Sequence, residues 1–172
     1  MKQEPTTPTD STIQILNEIG RAFGRVPNLF QAYAKYPPLL EANWNKVKLI
    51  LLDGKLTRFH KEVIALLVSH DNGCNYCVAA HSAALKSMGM KNEQLIHMKD
   101  GYLAGYLNER EIELVNFARK ANQRHHDIGA SDFDKLASAG YAEAAIVEAL
   151  GVVELFAGFN RFARAMRIEA DF

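Results

Sequence analysis

The chain has 172 residues, 48% of them hydrophobic, and 20 Lys and Arg balance 20 Asp and Glu. That length suits a single domain with a substantial core. The even charge and the lack of any lysine or arginine run argue against nucleic acid or an anionic membrane surface as a partner, and no apolar run is long enough to span a bilayer.

The first ten residues, MKQEPTTPTD, are polar and lack the hydrophobic centre of a secretory signal, so the expected setting is cytoplasmic with reduced thiols. They read as a flexible arm, and residues 11–172 as one helical domain. All five prolines, Pro5, Pro8, Pro27, Pro37 and Pro38, precede residue 39. The rest is free of the strongest helix breaker, which predicts an all-α fold.

Ser11 is the expected cap of a first helix carrying Ile13, Leu16, Ile19 and Phe23. GRVPNLF, residues 24–30, predicts a turn into a short helix that stops before Pro37. From Leu40 the spacing of Trp44, Val47 and Leu51 predicts a helix ending at Asp53-Gly54. The next helix carries Phe59, Val63, Leu66 and Leu67 as an apolar stripe and runs to Gly73, where another begins and continues past Leu85 to Gly89.

Residues 92–99 predict a short helix. Asn108 with Glu111 forms a capping box for a helix reaching about Asn122. RHHDIGA is then a loop before Ser131, a further expected cap. The last helix, from about Tyr141 to Arg167, shows two apolar stripes. Ile146, Ala149, Leu150, Val153 and Phe156 make one, and Val152, Leu155, Phe159, Phe162 and Met166 make the other. One stripe can face the core, so the second calls for another partner such as a second subunit. Gly151 and Gly158 would allow close backbone approach along this helix. Trp44 and the phenylalanines near the end of the chain read as core or interface instead of a ligand pocket.

The chemistry concentrates in residues 62–81, EVIALLVSHDNGCNYCVAAH. A C-x-x-C pair in a chain with no signal peptide points to redox chemistry or metal before a structural disulfide. A helix starting near Cys74 puts Cys74, Cys77 and His81 within an arc of roughly 60°. In its first turn Cys74 would meet unpaired N–H groups and the positive end of the helix dipole, which favour a thiolate. His81 can exchange a proton with Cys77 one turn away. Glu62 and His70 lie within the preceding apolar stripe, where an ionisable group must find a partner or shift its pKa. Glu62 facing Cys77 and His81 would supply such a partner.

Glu62, Cys74, Cys77 and His81 reproduce the E-x11-C-x-x-C-x-x-x-H signature of the AhpD-like, carboxymuconolactone decarboxylase superfamily, which this chain resembles over most of residues 20–168. GRVPNLF, the Pro37-Pro38 break, LLDGKLTRFHKEVIALLVSHDNGCNYC and Asn160-Arg161 are similar to its peroxidase-related, alkylhydroperoxidase branch. The resemblance implies an all-α helical bundle with the C-x-x-C at the start of a central helix, assembling as a homo-oligomer. It also implies an antioxidant two-cysteine peroxidase without haem or flavin of its own, and no metal or other cofactor is expected. Cys77 would attack the hydroperoxide, Cys74 would resolve the sulfenic acid as a disulfide, and Glu62 and His81 would relay protons. An external dithiol, from a lipoylated or thioredoxin-like protein, would reduce the disulfide. Tyr76 stands where the alkylhydroperoxidase pattern has a histidine, which implies slower turnover, with His70 as a possible auxiliary group.

Other readings compete. A structural zinc module could use His70, Cys74, Cys77 and His81. It ranks behind redox chemistry because it would close almost no loop and would leave Glu62 unexplained. A disulfide oxidoreductase or a redox sensor without efficient peroxide turnover shares the same dithiol. Taken alone, each cysteine reads as a small buried hydrophobe, His70 as a core histidine and Tyr76 as packing.

Overall fold

A computed structural model describes residues 10–172. The arm expected for residues 1–10 lies outside them except for Asp10, the first residue of α1 (Asp10–Phe23). The helices that follow are α2 (Asn28–Tyr33), α3 (Pro37–Val47), α4 (Arg58–Asp71), α5 (Asn75–Ser87), α6 (Asn92–Lys99), α7 (Glu109–Gln123), α8 (Ala130–Ser138) and α9 (Glu143–Ala165). Among the described residues the fold is all-α, with no strand.

Several expected elements form for the expected reasons. Pro27 precedes α2 in extended geometry, whereas α3 starts three residues before the Leu40 expected, opened by Pro37 and Pro38, where a missing N–H costs nothing. At the start of α7, Asn108 Oδ1 accepts the Glu111 N–H at 2.9 Å, while Glu111 Oε2 accepts the Asn108 N–H at 2.8 Å. Two other caps differ from expectation. Ser11 lies inside α1, and Ile13 is exposed. Ser131 lies inside α8, whose cap is Gly129, with its N–H held by Asp132 Oδ2 at 2.8 Å. The stretch through Leu51 leaves α geometry after Val47 and makes one π-helical turn (Lys48–Leu52). RHHDIGA includes a short 3-10 turn (His125–Asp127).

The core is built around α4, which packs against α5, α7 and α9. Sequence periodicity predicts one apolar stripe here, yet all nine side chains of residues 61–69 are buried. The polar members of that run are covered because each meets a distant partner. Lys61 pairs with Glu148, Glu62 with His81, and Ser69 accepts a hydrogen bond from Asn160 Nδ2 at 2.9 Å.

The two stripes of α9 resolve in a similar way. Ile146, Ala149, Val153 and Phe156 are buried, and so are Val152, Leu155 and Phe159 of the second stripe. Most of both stripes therefore finds cover within the chain, with Leu150 and Phe162 partly buried and only Met166, at the helix end, exposed. Of the two glycines, only Gly151 sits at a close approach, where an added Cβ would stand 3.1 Å from Ile50 Cδ1; nothing lies within 4 Å of one at Gly158.

Candidate active site

The turn between α4 and α5 places the two thiols. Gly73 takes φ +65°, a left-handed conformation that glycine adopts freely, and its N–H reaches His70 O at 2.9 Å. The Cys74 N–H reaches Ser69 O at 2.9 Å. These two bonds form a Schellman turn that closes α4 and delivers Cys74 directly to the cap position of α5. There Cys74 Sγ accepts the Cys77 N–H at 3.3 Å, a sulfur doing what a serine or aspartate oxygen usually does. Both cysteines are free thiols and buried.

One turn further along α5, His81 Nδ1 meets Glu62 Oε2 at 2.6 Å, joining α5 to the buried face of α4. Glu62 Oε1 accepts from Arg58 Nε and Nη2, both at 2.6 Å. Burial alone would raise the Glu62 carboxyl. The charge and hydrogen bond of His81, followed by those of Arg58, outweigh burial and hold it below the usual carboxylate range. The edge of the His81 ring meets Phe156 with centroids 4.3 Å apart, which fixes the imidazole plane.

Cys77, His81, Glu62 and Arg58 all line one cavity of about 550 Å³. Its remaining wall is mainly apolar, with Phe23, Phe30, Phe156, Phe159 and Phe172 among its members. Cys74 is not in the wall. The sulfurs thus differ in access as well as in charge. Hydrogen bonding from the Cys77 thiol outweighs burial and brings Cys74 down to about 7, helped by the Cys77 N–H, Arg164 and Asn160. Cys77 is pushed up, first by its hydrogen bond to Cys74, then by burial and by the Cys74 charge. As pH rises through about 7 the pair gives up its first proton, with the charge favoured on Cys74 while Cys77 keeps its proton.

The sequence-predicted group therefore divides. Cys74, Cys77, His81 and Glu62 come together. His70 does not: its side chain is 45% exposed near the end of α4, with Nδ1 4.0 Å from Asp71. The zinc ligands weighed from sequence consequently fail to converge, and no three His, Cys, Asp or Glu side chains among the described residues are grouped to hold a metal ion. Tyr76 lines the cavity, but its hydroxyl accepts the Leu29 N–H at 3.1 Å and tethers α5 to α2. Burial raises its pKa, so it stands as a neutral phenol at ordinary pH.

Three contributors were not singled out from sequence. Arg58 had a local signal, since it lies one helical turn before a glutamate on an apolar stripe. Asn160, 1% exposed, links Ser69 to Asn72, whose Nδ2 reaches Asn160 Oδ1 at 2.9 Å. It was noted only as a family word, although an asparagine inside an apolar run is itself a sign of a buried network. The phenylalanines are the third group. Phe156, Phe159 and Phe172 line the cavity instead of serving only as core or interface, whereas Trp44 is buried core.

Comparison with known proteins agrees with this fold. Residues 37–100 match the carboxymuconolactone decarboxylase family. A peroxidase-related protein from Silicibacter sp. superposes with a TM-score of 0.87 at 27% identity, covering 97% of this chain and 88% of that one. The alkylhydroperoxidase AhpD core of a peroxidase-related protein from Ralstonia eutropha gives 0.86 at 27% identity, over 95% and 86%. The matched segment and the whole-chain superpositions give the chain the AhpD-like fold, and residues 37–100 carry its similarity to the carboxymuconolactone decarboxylase family. An alkyl hydroperoxide reductase of Mycobacterium tuberculosis is 32% identical over 89 residues, which are 50% of this chain and 26% of that protein. The match thus spans about a quarter of that relative. No helix among the described residues is long and apolar enough to cross a membrane.

Proposed function

We propose that the protein is a thiol-dependent hydroperoxide reductase cycling through a Cys74–Cys77 disulfide, with Cys77 as the attacking sulfur. The observation that carries this reading is the shared cavity. Cys77 opens on it beside His81 and Glu62, and Cys74 adjoins Cys77 without reaching it. Relatives named as peroxidase-related and as an alkyl hydroperoxide reductase support it.

The Cys74 thiolate, favoured over that of Cys77, defines the first step. Cys77 gives its proton to the Cys74 thiolate as its sulfur attacks the O–O bond, which breaks to leave a sulfenic acid on Cys77 and an alkoxide. His81, in its protonated form, gives the alkoxide a proton from Nε2, since Nδ1 is held by Glu62. Glu62 stabilises the imidazolium before the transfer, and Arg58 keeps Glu62 ionised. The Cys74 thiol then attacks the sulfenic sulfur, forming the disulfide, and its proton leaves with the hydroxyl as water. An external dithiol, lipoylated or thioredoxin-like, takes over the disulfide and returns two protons, one to the cysteine pair and one to His81.

The test is the rate at which the fully reduced protein loses both thiols to one equivalent of an organic hydroperoxide, against free cysteine at the same pH. Loss of both thiols much faster than the control is expected. A rate no greater than the control would rule out peroxide as the oxidant and leave disulfide exchange. Role assignment is read with a sulfenic-acid trap: Cys74→Ser should leave a trappable sulfenate on Cys77, and trapping on Cys74 in Cys77→Ser would reverse the roles.

A further inference from the structure

The segment after α9 returns to the cavity. Met166 ends the helix and Arg167 takes φ +53°, the one non-glycine residue among those described with positive φ. The Arg167 N–H bonds Arg164 O at 3.1 Å and the Ile168 N–H bonds Ala163 O at 2.9 Å, so the chain reverses through the same type of turn that closes α4. It then crosses the start of α2. Asn28 Nδ2 donates to Glu169 O at 3.2 Å, and the Asn28 N–H donates to Asp171 Oδ2 at 3.0 Å. Arg25 Nη2 pairs with the same Asp171 oxygen at 2.6 Å, and its guanidinium lies 5.2 Å from the centre of the Phe172 ring. Phe172 in turn meets Tyr76 edge-on at 5.5 Å and lines the cavity beside Cys77.

We infer that residues 167–172 form a strap whose Phe172 ring, clasped by Arg25 and Asp171, is a specificity-determining wall that selects hydroperoxides with an apolar body. This rests on the peroxide-reducing reading for the reacting group, and on the cavity alone for the apolar body. The argument from charge is direct. Both guanidiniums in the cavity wall are already engaged, Arg58 by Glu62 and Arg25 by Asp171, so neither is left to receive an anionic substrate. Apart from Cys77, His81 and Ser87, what remains open to an occupant is mainly aromatic and aliphatic surface, and about 550 Å³ is far more than hydrogen peroxide needs. Phe172 is also the wall member held from outside the helical frame, by an ion pair and two hydrogen bonds to the segment that carries it.

The experiment separates binding from reaction. Cumyl alcohol, the reduced product of cumene hydroperoxide, is titrated against iodoacetamide alkylation of Cys77 in the full, reduced protein. In parallel, thiol oxidation by cumene hydroperoxide and by hydrogen peroxide is timed. Cumyl alcohol should protect the wild-type protein, and Phe172→Ala should raise the concentration needed by about five- to tenfold, the value of one aromatic contact. The ratio of cumene hydroperoxide to hydrogen peroxide rates should fall by a similar factor. Phe172→Leu should recover part of both changes, and Asp171→Asn should give a smaller fall in the same direction. No protection of wild type, or protection unchanged in Phe172→Ala, overturns the strap whatever the peroxide rates. Protection that depends on Phe172 in a protein that oxidises no faster than free cysteine leaves the apolar wall standing and sinks the peroxide reading instead.

Discussion

Lys61 and Glu62 are neighbours on α4, each 1% exposed and each ion-paired, yet their surroundings assign them opposite work. Lys61 Nζ is bound by Asp53 O and Glu148 Oε1. Glu148 Oε2 also accepts the Lys55 and Leu56 N–H groups, at 2.6 and 3.1 Å, so this cluster pins residues 53–56 against α9. Gly54 is required beneath it, because a Cβ there would fall onto Glu148 Oε1 and its φ is +126°. Glu62 instead shares its charge with a histidine and an arginine that face a cavity and a thiol. A buried charge is therefore not by itself the mark of a reactive site. The distinction lies in whether a proton can leave the cluster toward a space that a substrate can enter.

Substitutions can break that distinction or sharpen it. Glu148→Ala leaves the Lys61 ammonium buried without its counter-charge, and should cost about 3–5 kcal/mol in urea unfolding. Its folded fraction should oxidise its thiols at the wild-type rate. Glu62→Gln should do the reverse, slowing thiol oxidation about a hundredfold in stopped-flow, with a much smaller shift of the urea midpoint. If both variants changed stability alone, the two clusters would be equivalent and the site reading of Glu62 would be lost.

A pH series sharpens the comparison further, because only the reactive side contains a group titrating near neutrality. The Cys74 pKa falls from 9.0 unfolded to about 7 folded, so between these values the unfolded state holds a proton that the folded state has released. Reduced protein should gain stability as pH rises from 7 toward 9, by at most about 1.4 kcal/mol per unit, and lose it as pH falls through 7. Above pH 9 the raised Cys77 opposes any further gain. Urea midpoints that stay level across this window, or that rise equally in Cys74→Ser, would show that Cys74 does not carry the charge. The smallest expected effect is at the end of α9, where Arg167→Gly should stabilise by about 1 kcal/mol by relieving a left-handed side chain.

Local chemistry made much of this legible before any coordinates. Proline positions and capping signals were enough for α2 and α7, α6 occupies the residues read for it, and α3, read by periodicity from Leu40 to Asp53, starts three residues earlier and gives way to a π turn after Val47. The candidate site was legible for the same reason. Gly73, Cys74, Cys77 and His81 lie within nine residues, and helical spacing alone brings the two thiols and His81 together. What escaped depended on long-range partners. Nothing near Lys61 in sequence announces Glu148, so one stripe was expected where α4 is buried all round. The second stripe of α9 looked unpartnered because its cover comes from elsewhere in the chain. His70 was misplaced because helical phase puts it on the stripe, while the helix end leaves it in solvent. Phe172 carries no local sign that it returns to the cavity.

The burial of residues 61–69 also sets a clock. Their amide protons have no solvent-facing side on which a local opening could begin, so they should exchange with deuterium only when the whole domain unfolds. Residues 167–172, held by an ion pair and a few hydrogen bonds, should exchange orders of magnitude sooner. The backbone that carries Glu62 should therefore stay in place for the lifetime of the native state, while the cavity wall beside Phe172 should open far more often.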